Sequence, residues 1–289
     1  MGVLIESVPT IKTVGFNTQG LKSNISFVEI LIQLYDIIFI CEHWLSNAEK
    51  HLIEEIIKPT HELYFTPAEK NACGRPFRGN CFLINHTMAS YTEIVHEDSH
   101  MLVVKITSTA TPLLIIGIYL TSFHDAKSVE EYNEQLNLIT SIIRMNDDCD
   151  PMIIGDFQSF PDKIYDMVAR NNTKRNPLSK SLSNFITCNN LELVDVTKGN
   201  GPTVTYQHPT LKNTSYIDHI ALRVDTDISI LTCNVHTLNE YNISDHTPVS
   251  ITLQPDPSLN DIIEKEMANN FIPKHYWKND LFLKNYNLL

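Results

Sequence analysis

The chain has 289 residues, 43% of them apolar and 19% charged, with a formal net charge of −12. That length and apolar content can build one large buried core, and the acidic balance excludes a protein that grips nucleic acid by bulk positive charge. Acids gathered around a divalent cation still change sign locally when the cation binds. No apolar run of about 18 residues occurs, so no membrane-spanning helix and no membrane partner are expected. Residues 1–13 lack a basic stretch followed by an apolar one, so no signal peptide and an intracellular location are expected. The cysteines, Cys41, Cys73, Cys81, Cys149, Cys188 and Cys233, form no Cys-x-x-Cys pair, and several lie in apolar runs. Free thiols are expected, not a disulfide framework or a zinc site.

Apolar, β-branched runs ending in polar or turn residues recur along the chain. In order, 13–16 reads as a strand, 26–34 as a helix with Ser26 at its N-cap, 37–41 as a strand and 47–57 as a helix. Strands follow at 80–85, 101–107 and 113–119, then a helix at 129–143 capped by Ser128 with Glu131 three residues on. A strand at 152–154, a helix at 178–189 and strands at 217–224 and 249–253 complete the pattern. Strands mostly adjoin strands, which does not suit the strict alternation of a doubly wound parallel sheet. It predicts an α/β sandwich of two mixed sheets packed face to face, with helices outside. Pro255-Asp256-Pro257-Ser258 breaks the last strand, so residues 1–255 are expected to form the domain and 256–289 a linker or appendage, with a helix possible at 260–267.

Several of these strands end in residues of one chemical kind. Asn17 follows the first, Glu42 the second, and Tyr119 ends another. Gly155-Asp156-Phe157-Gln158 follows 152–154, Asp218 sits at the start of 217–224, and Ser244-Asp245-His246 stands just before 249–253. Strand ends converge on one edge of a sandwich. Carboxylates gathered there are costly unless a cation or hydrogen-bond donors compensate them. Glu and Asp oxygens with an amide alongside suit Mg²⁺, whereas zinc would call for paired Cys or His ligands.

These pieces, with Gly15-Phe16-Asn17-Thr18-Gln19-Gly20-Leu21, Glu42-His43-Trp44-Leu45, Gly74-Arg75-Pro76-Phe77-Arg78-Gly79 and Ser215-Tyr216-Ile217-Asp218-His219, resemble the endonuclease/exonuclease/phosphatase superfamily. Within it they are most similar to the endonuclease domains of non-LTR retrotransposons. The resemblance implies a four-layer αββα sandwich and a Mg²⁺-dependent nuclease, with Mn²⁺ able to substitute. It would nick DNA to leave a 3′-hydroxyl that primes reverse transcription. It implies DNA as partner, a reverse transcriptase domain on the same longer polyprotein, and a nuclear location if the target is chromosomal. Carried over residue by residue, it makes Glu42, Asn17 and Asp245 metal-site residues. Asp156 then orients or deprotonates the water, His246 contacts the phosphate with Asp218 behind it, and Tyr119 donates to the phosphate. Arg75, Arg78 and Ser244 are expected at the DNA.

The chain departs from the family where Gln158 replaces Asn among the catalytic residues, and where Gln19 stands in place of an acid. The added methylene at Gln158 moves the amide by roughly 1.5 Å, and a misplacement of about 1 Å can cost on the order of a hundredfold in rate. Two alternatives therefore stay open: a phosphatase or sphingomyelinase-like phosphodiesterase of the same fold, and a catalytically impaired DNA-binding or interaction domain. Trp44 is expected to pack, and His43, His124 and His219 are left as structural or without an assigned role. The Lys174-Arg175 pair, with Lys180, reads as a solvated helix start. The loops 122–128 and 211–215 are expected to set any target preference.

Overall fold

In the computed structural model, the chain runs β1 (Ile11–Asn17), α1 (Leu21–Leu34), β2 (Ile37–Cys41), α2 (His51–Ile57), β3 (His61–Thr66), the ribbon β4 (Glu69–Lys70) and β5 (Pro76–Phe77), then β6 (Asn80–Asn85). It continues through α3 (His86–Ala89), β7 (Thr92–Glu97), β8 (Met101–Ile106), β9 (Leu113–Tyr119), α4 (Ala126–Met145) and β10 (Asp150–Asp156). The remainder is α5 (Ser179–Cys188), β11 (Leu191–Leu193), α6 (Val194–Thr197), the ribbon β12 (Tyr206–Gln207) and β13 (Thr214–Ser215), β14 (Asp218–Arg223), β15 (Ser229–Val235) and β16 (Val249–Gln254). The described residues are 10–70, 73–74, 76–161, 176–226, 228–237 and 239–254. Arg75, Lys174-Arg175, the helix expected at 260–267 and the appendage 256–289 lie outside them.

Two six-stranded sheets form, in the orders β15-β16-β1-β2-β6-β3 and β11-β14-β10-β9-β8-β7. Each has one central parallel pair, β1 with β2 and β10 with β9, and antiparallel neighbours elsewhere. The sequence of β2, Ile-Ile-Phe-Ile-Cys, explains the layering. Ile37, Phe39 and Cys41 alternate into the core between the sheets, while Ile38 and Ile40 point outward beneath α1 and α2. A strand covered on both faces must be apolar throughout. The second sheet behaves likewise: Ile115 and Ile154 point inward, and Ile116 and Ile153 pack outward against Tyr132, Leu136 and Ile139 of α4. The result is the expected αββα sandwich. Among the described residues no helix is long and apolar enough to cross a membrane, and no disulfide forms, with Cys41, Cys81, Cys149 and Cys233 buried.

The helix starts correct the sequence reading. Helix α1 begins five residues before Ser26, at Leu21, because Gly20 N–H donates to Glu42 O (2.8 Å) and Leu21 N–H to His43 O (3.1 Å). Ser26 is thus an interior residue. The α4 cap is Asp125, whose side chain accepts from Ser128 N–H (2.9 Å); Ser128 is the third residue of the capping box and not its cap. The helix expected at 47–57 splits into a 3-10 turn (Asn47–Glu49), boxed by Ser46 and Glu49, and α2. Strands β3, β7, β11 and β15, which patterning did not predict, are the edges of the two sheets.

Gly117 lets the sheets approach. A Cβ there would lie 2.2 Å from the Phe39 ring and 2.8 Å from Phe82. Gly117→Ala is therefore expected to cost about 1–3 kcal/mol through overpacking. Adding Phe39→Leu should recover part of that loss, so that urea denaturation finds the double variant more stable than the sum of the single changes. Strict additivity would contradict this account of the close approach.

Candidate active site

The two parallel pairs end on the same edge of the sandwich. Asn17 closes β1 and pairs in register with Cys41, so Glu42 emerges beside it. In the other sheet Asp156 is level with both Tyr119 and Asp218. Strand β16 runs antiparallel to β1, so the residues just before it, Ser244-Asp245-His246, return to this edge.

Asn17 joins the two sheets. Its Nδ2 donates to Glu42 Oε1 (3.0 Å) and to Asp156 Oδ2 (3.1 Å). Asp156 also accepts from Gln158 twice, from the backbone N–H at Oδ1 (2.9 Å) and from Nε2 at Oδ2 (2.8 Å). His246 Nδ1 lies 2.8 Å from Asp218 Oδ2, while its Nε2 faces Asp156 Oδ2 at 4.0 Å and Asp245 Oδ1 at 3.9 Å. The Tyr119 phenol, on the strand level with Asp156, lies within the electrostatic reach of Glu42 and Asp156. Glu42, Gln158 and His246 line a cleft of about 620 Å³ with Phe123, Tyr206 and Ile217. Glu42 and Gln158 both adopt left-handed backbone (φ 53 and 55), and such strain in non-glycine residues gathers at functional sites.

The electrostatics follow from burying acids together. Burial raises the pKa of Asp156, and neighbouring Asp218 raises it further against the pull of His246. Burial raises Asp245 as well. For His246 burial favours the neutral ring, but Asp218, with Asp156 and Asp245, outweighs it and carries the pKa up to about 9. Burial, followed by the charges of Glu42 and Asp156, keeps the Tyr119 phenol protonated.

Seven of the predicted site residues therefore meet: Asn17, Glu42, Tyr119, Asp156, Gln158, Asp218 and His246. Asp245 joins them with Oδ1 buried and without a hydrogen-bond partner among the described residues. This orphaned carboxylate oxygen, with the Glu42 carboxylate near enough to act on it electrostatically, offers hard-oxygen donors that fit Mg²⁺. Ligand atoms of Asp156, Asp218 and His246 also lie within 4.8 Å of one another. The Asp218–His246 hydrogen bond, however, already uses the facing atoms of that pair, so a cation fits better on the Glu42 side. The predicted DNA contacts stand differently. Arg78 is tied to Glu69 (3.1 Å) and Ser99 (3.1 Å), and the Ser244 hydroxyl is spent inside the fold, on Asn17 O (2.8 Å) and His246 N–H (3.1 Å). Lys180 is exposed on α5.

The sequence reading passed over several supporting residues. Asn242 accepts from Ser244 N–H (2.9 Å) and donates to His246 O (2.8 Å), which fixes the loop that carries the imidazole. The Tyr206 ring lies 5.0 Å from that of His246. A second buried pair, His219 and Asp195 (2.7 Å), stands behind Asp218 on β14. The Asn at the start of Asn242-Ile243-Ser244-Asp245-His246 was a readable signal, as a residue type that favours local turns.

His43 is held inside the fold. Its Nδ1 accepts from Leu45 N–H (2.9 Å), so Nε2 carries the proton and donates to Thr66 O (3.0 Å), and the ring stacks on Phe65 at 4.7 Å. Burial lowers its pKa to about 4. The unfolded chain then binds a proton near pH 6.5 that the fold refuses until about pH 4, so stability is full above pH 6.5 and falls as pH drops through that window. The loss should reach about 3 kcal/mol. Urea titrations at pH 7, 5.5 and 4 should show this slope in the unsubstituted chain and a shallower one in His43→Gln. Equal slopes would refute it.

No family model and no curated protein matches the sequence. Solved structures do match. A 3′-5′ exonuclease from Neisseria meningitidis, NExo, is 14% identical with a TM-score of 0.66, over 85% of this chain and 100% of that one. The endonuclease domain of TRAS1, a telomere-specific non-LTR retrotransposon, is 15% identical with a TM-score of 0.58, over 86% and 99%. An endonuclease/exonuclease/phosphatase family protein from Bacteroides thetaiotaomicron is 13% identical with a TM-score of 0.59, over 85% and 97%. Likeness at these identities is likeness of fold: this chain is built on the endonuclease/exonuclease/phosphatase fold.

Proposed function

We propose that residues 1–255 form a Mg²⁺-dependent endonuclease that nicks DNA and leaves 3′-hydroxyl and 5′-phosphate ends. The observation that carries this reading is the Asp218–His246 pair (2.8 Å) facing the Glu42 and Asp156 carboxylates that Asn17 bridges. The neighbours lend support: one is a retrotransposon endonuclease domain, and another structure is described as a 3′ phosphatase, NExo, bound to product DNA hairpin. In a retrotransposon setting the new 3′ end primes a reverse transcriptase domain on the same longer polyprotein, and chromosomal targets place the work in the nucleus.

Glu42 and Asp245 would hold the Mg²⁺, or Mn²⁺ in its place, with Asn17 supporting the site by donating its amide N–H groups to Glu42 and Asp156. Bound there, the cation neutralises charge developing on the leaving 3′ oxygen. Asp156 orients the attacking water and takes its proton. With its pKa near 9, His246 is an imidazolium at neutral pH and donates through Nε2 to a phosphate oxygen. Asp218 fixes the ring through Nδ1 and balances its charge. Tyr119, kept protonated, supplies a further O–H donor toward the phosphate.

One observation favours a second reading, a phosphatase or phosphodiesterase acting on small or lipid phosphoesters. The net charge is −12, and Arg78 is occupied by Glu69. Turnover of nucleic acid against phospholipid and phosphoinositide substrates separates the two. The impaired-domain alternative rests on Gln158, whose amide folds back onto Asp156 Oδ2 (2.8 Å).

Plasmid nicking with Mg²⁺ should fall at least a hundredfold in Glu42→Ala and His246→Ala. Undetectable nicking by the unsubstituted chain, or activity that survives both changes, would falsify the endonuclease reading. In Gln158→Asn the shorter amide leaves Asp156 Oδ2, and the rate should rise by about tenfold or more. An unchanged rate would show that Gln158 is accommodated.

A further inference from the structure

Glu42 is a long side chain asked to hold one position, and restraining it opposes its rotamer freedom. Asn17 restrains only one of its oxygens, Oε1 (3.0 Å). The other, Oε2, accepts from the indole Nε1–H of Trp44 at 3.2 Å. Trp44 is itself well anchored. Its backbone N–H donates to Arg78 O (3.2 Å), and its ring lies over Gly20, where a Cβ would come within 2.7 Å of the indole. Gly20 N–H in turn donates to Glu42 O (2.8 Å), so the loop carrying the carboxylate and the surface beneath the indole are one unit. Glu42 and Trp44 both take left-handed backbone (φ 53 and 58), with buried His43 between them. Strain at two such residues persists only where surrounding contacts over-determine it.

Packing alone does not account for this arrangement. Covering Gly20 asks only for a hydrocarbon surface, whereas the indole also places its one donor on the carboxylate, where a hydrogen bond to a charged group is roughly twice as strong as a neutral one. We propose that Trp44 is the positioning residue for Glu42 and thereby sets the affinity of the site for its divalent cation, a role that rests on the metal-dependent reading above. The indole does not touch the substrate or the reacting atoms. It fixes the Glu42 carboxylate in the orientation that the cation meets, as outer partners of metal ligands do.

Isothermal titration of the full chain with Mn²⁺ alone, in the absence of DNA, tests this. Trp44→Phe keeps an aromatic side chain at this position and removes the donor. Its Mn²⁺ dissociation constant should rise about tenfold, with the melting temperature within a few degrees of the unsubstituted chain. Equal Mn²⁺ affinity in the two proteins overturns the role of Trp44 and leaves the metal-dependent reading standing. Failure of the unsubstituted chain to bind Mn²⁺ overturns both. The unsubstituted fold also offers a readout that survives misfolding of the variant. Trp44 and Trp277 are the two tryptophans of the sequence, so Trp277→Phe assigns the Trp44 indole N–H resonance. That resonance should move saturably as Mg²⁺ is added and stay still in Glu42→Gln. A resonance indifferent to Mg²⁺ in the chain that retains Glu42 overturns the proposal.

Discussion

The molecule has to keep four carboxylates, Glu42, Asp156, Asp218 and Asp245, around one imidazole at a largely buried strand edge. Unrelieved, their mutual repulsion and lost hydration would outweigh much of what a domain of this size has in reserve. Relief comes from assigning donors. Asn17 serves Glu42 and Asp156 together, Gln158 serves both oxygens of Asp156, and His246 takes a charge that Asp218 and its neighbours stabilise. The left-handed backbone at Glu42 and Gln158, the register that levels Asp156 with Asp218, and the buried Asn242 loop are all means of delivering those donors.

Seen this way, the division between what could be read from sequence and what could not has a physical cause. All eight interior strands were legible, because a strand buried on both faces has to be a continuous apolar run, as in Ile-Ile-Phe-Ile-Cys of β2. The four edge strands were not. His-Glu-Leu-Tyr-Phe-Thr in β3, Thr-Glu-Ile-Val-His-Glu in β7 and Ser-Ile-Leu-Thr-Cys-Asn-Val in β15 have one side open to solvent or loops, and their composition hardly differs from that of a turn. Helix starts were misplaced for a related reason. The backbone of the Glu42 loop sets the start of α1, and that is a contact between distant segments.

The site divides along the same line. Residues at strand ends, Asn17, Glu42, Asp156, Asp218 and His246, announce themselves by type and position. Trp44, Asn242, Tyr206 and Asp195 act across turns or from other segments, and no local period marks them. Charge sharpens the remaining contrast. The fold accommodates many phosphoester substrates, and this chain brings to it a formal charge of −12 and an arginine, Arg78, that is occupied by Glu69. Under the proposed function, attraction to a polyanion would be local and would owe much to a bound cation.

The pairing of β1 with β16 has a consequence for how the protein comes into being. Ile11 lies opposite Leu253, so the strand that carries Asn17 finds one of its two neighbours only when the last described strand arrives. The imidazole and Asp245 come with that same late segment. A chain still emerging from the ribosome would hold Asn17, Glu42 and Asp156 with neither His246 nor the strand that squares β1 against its sheet. Assembly of the candidate site is thereby tied to completed synthesis of the domain, because its last contributors arrive with the strand that closes the first sheet.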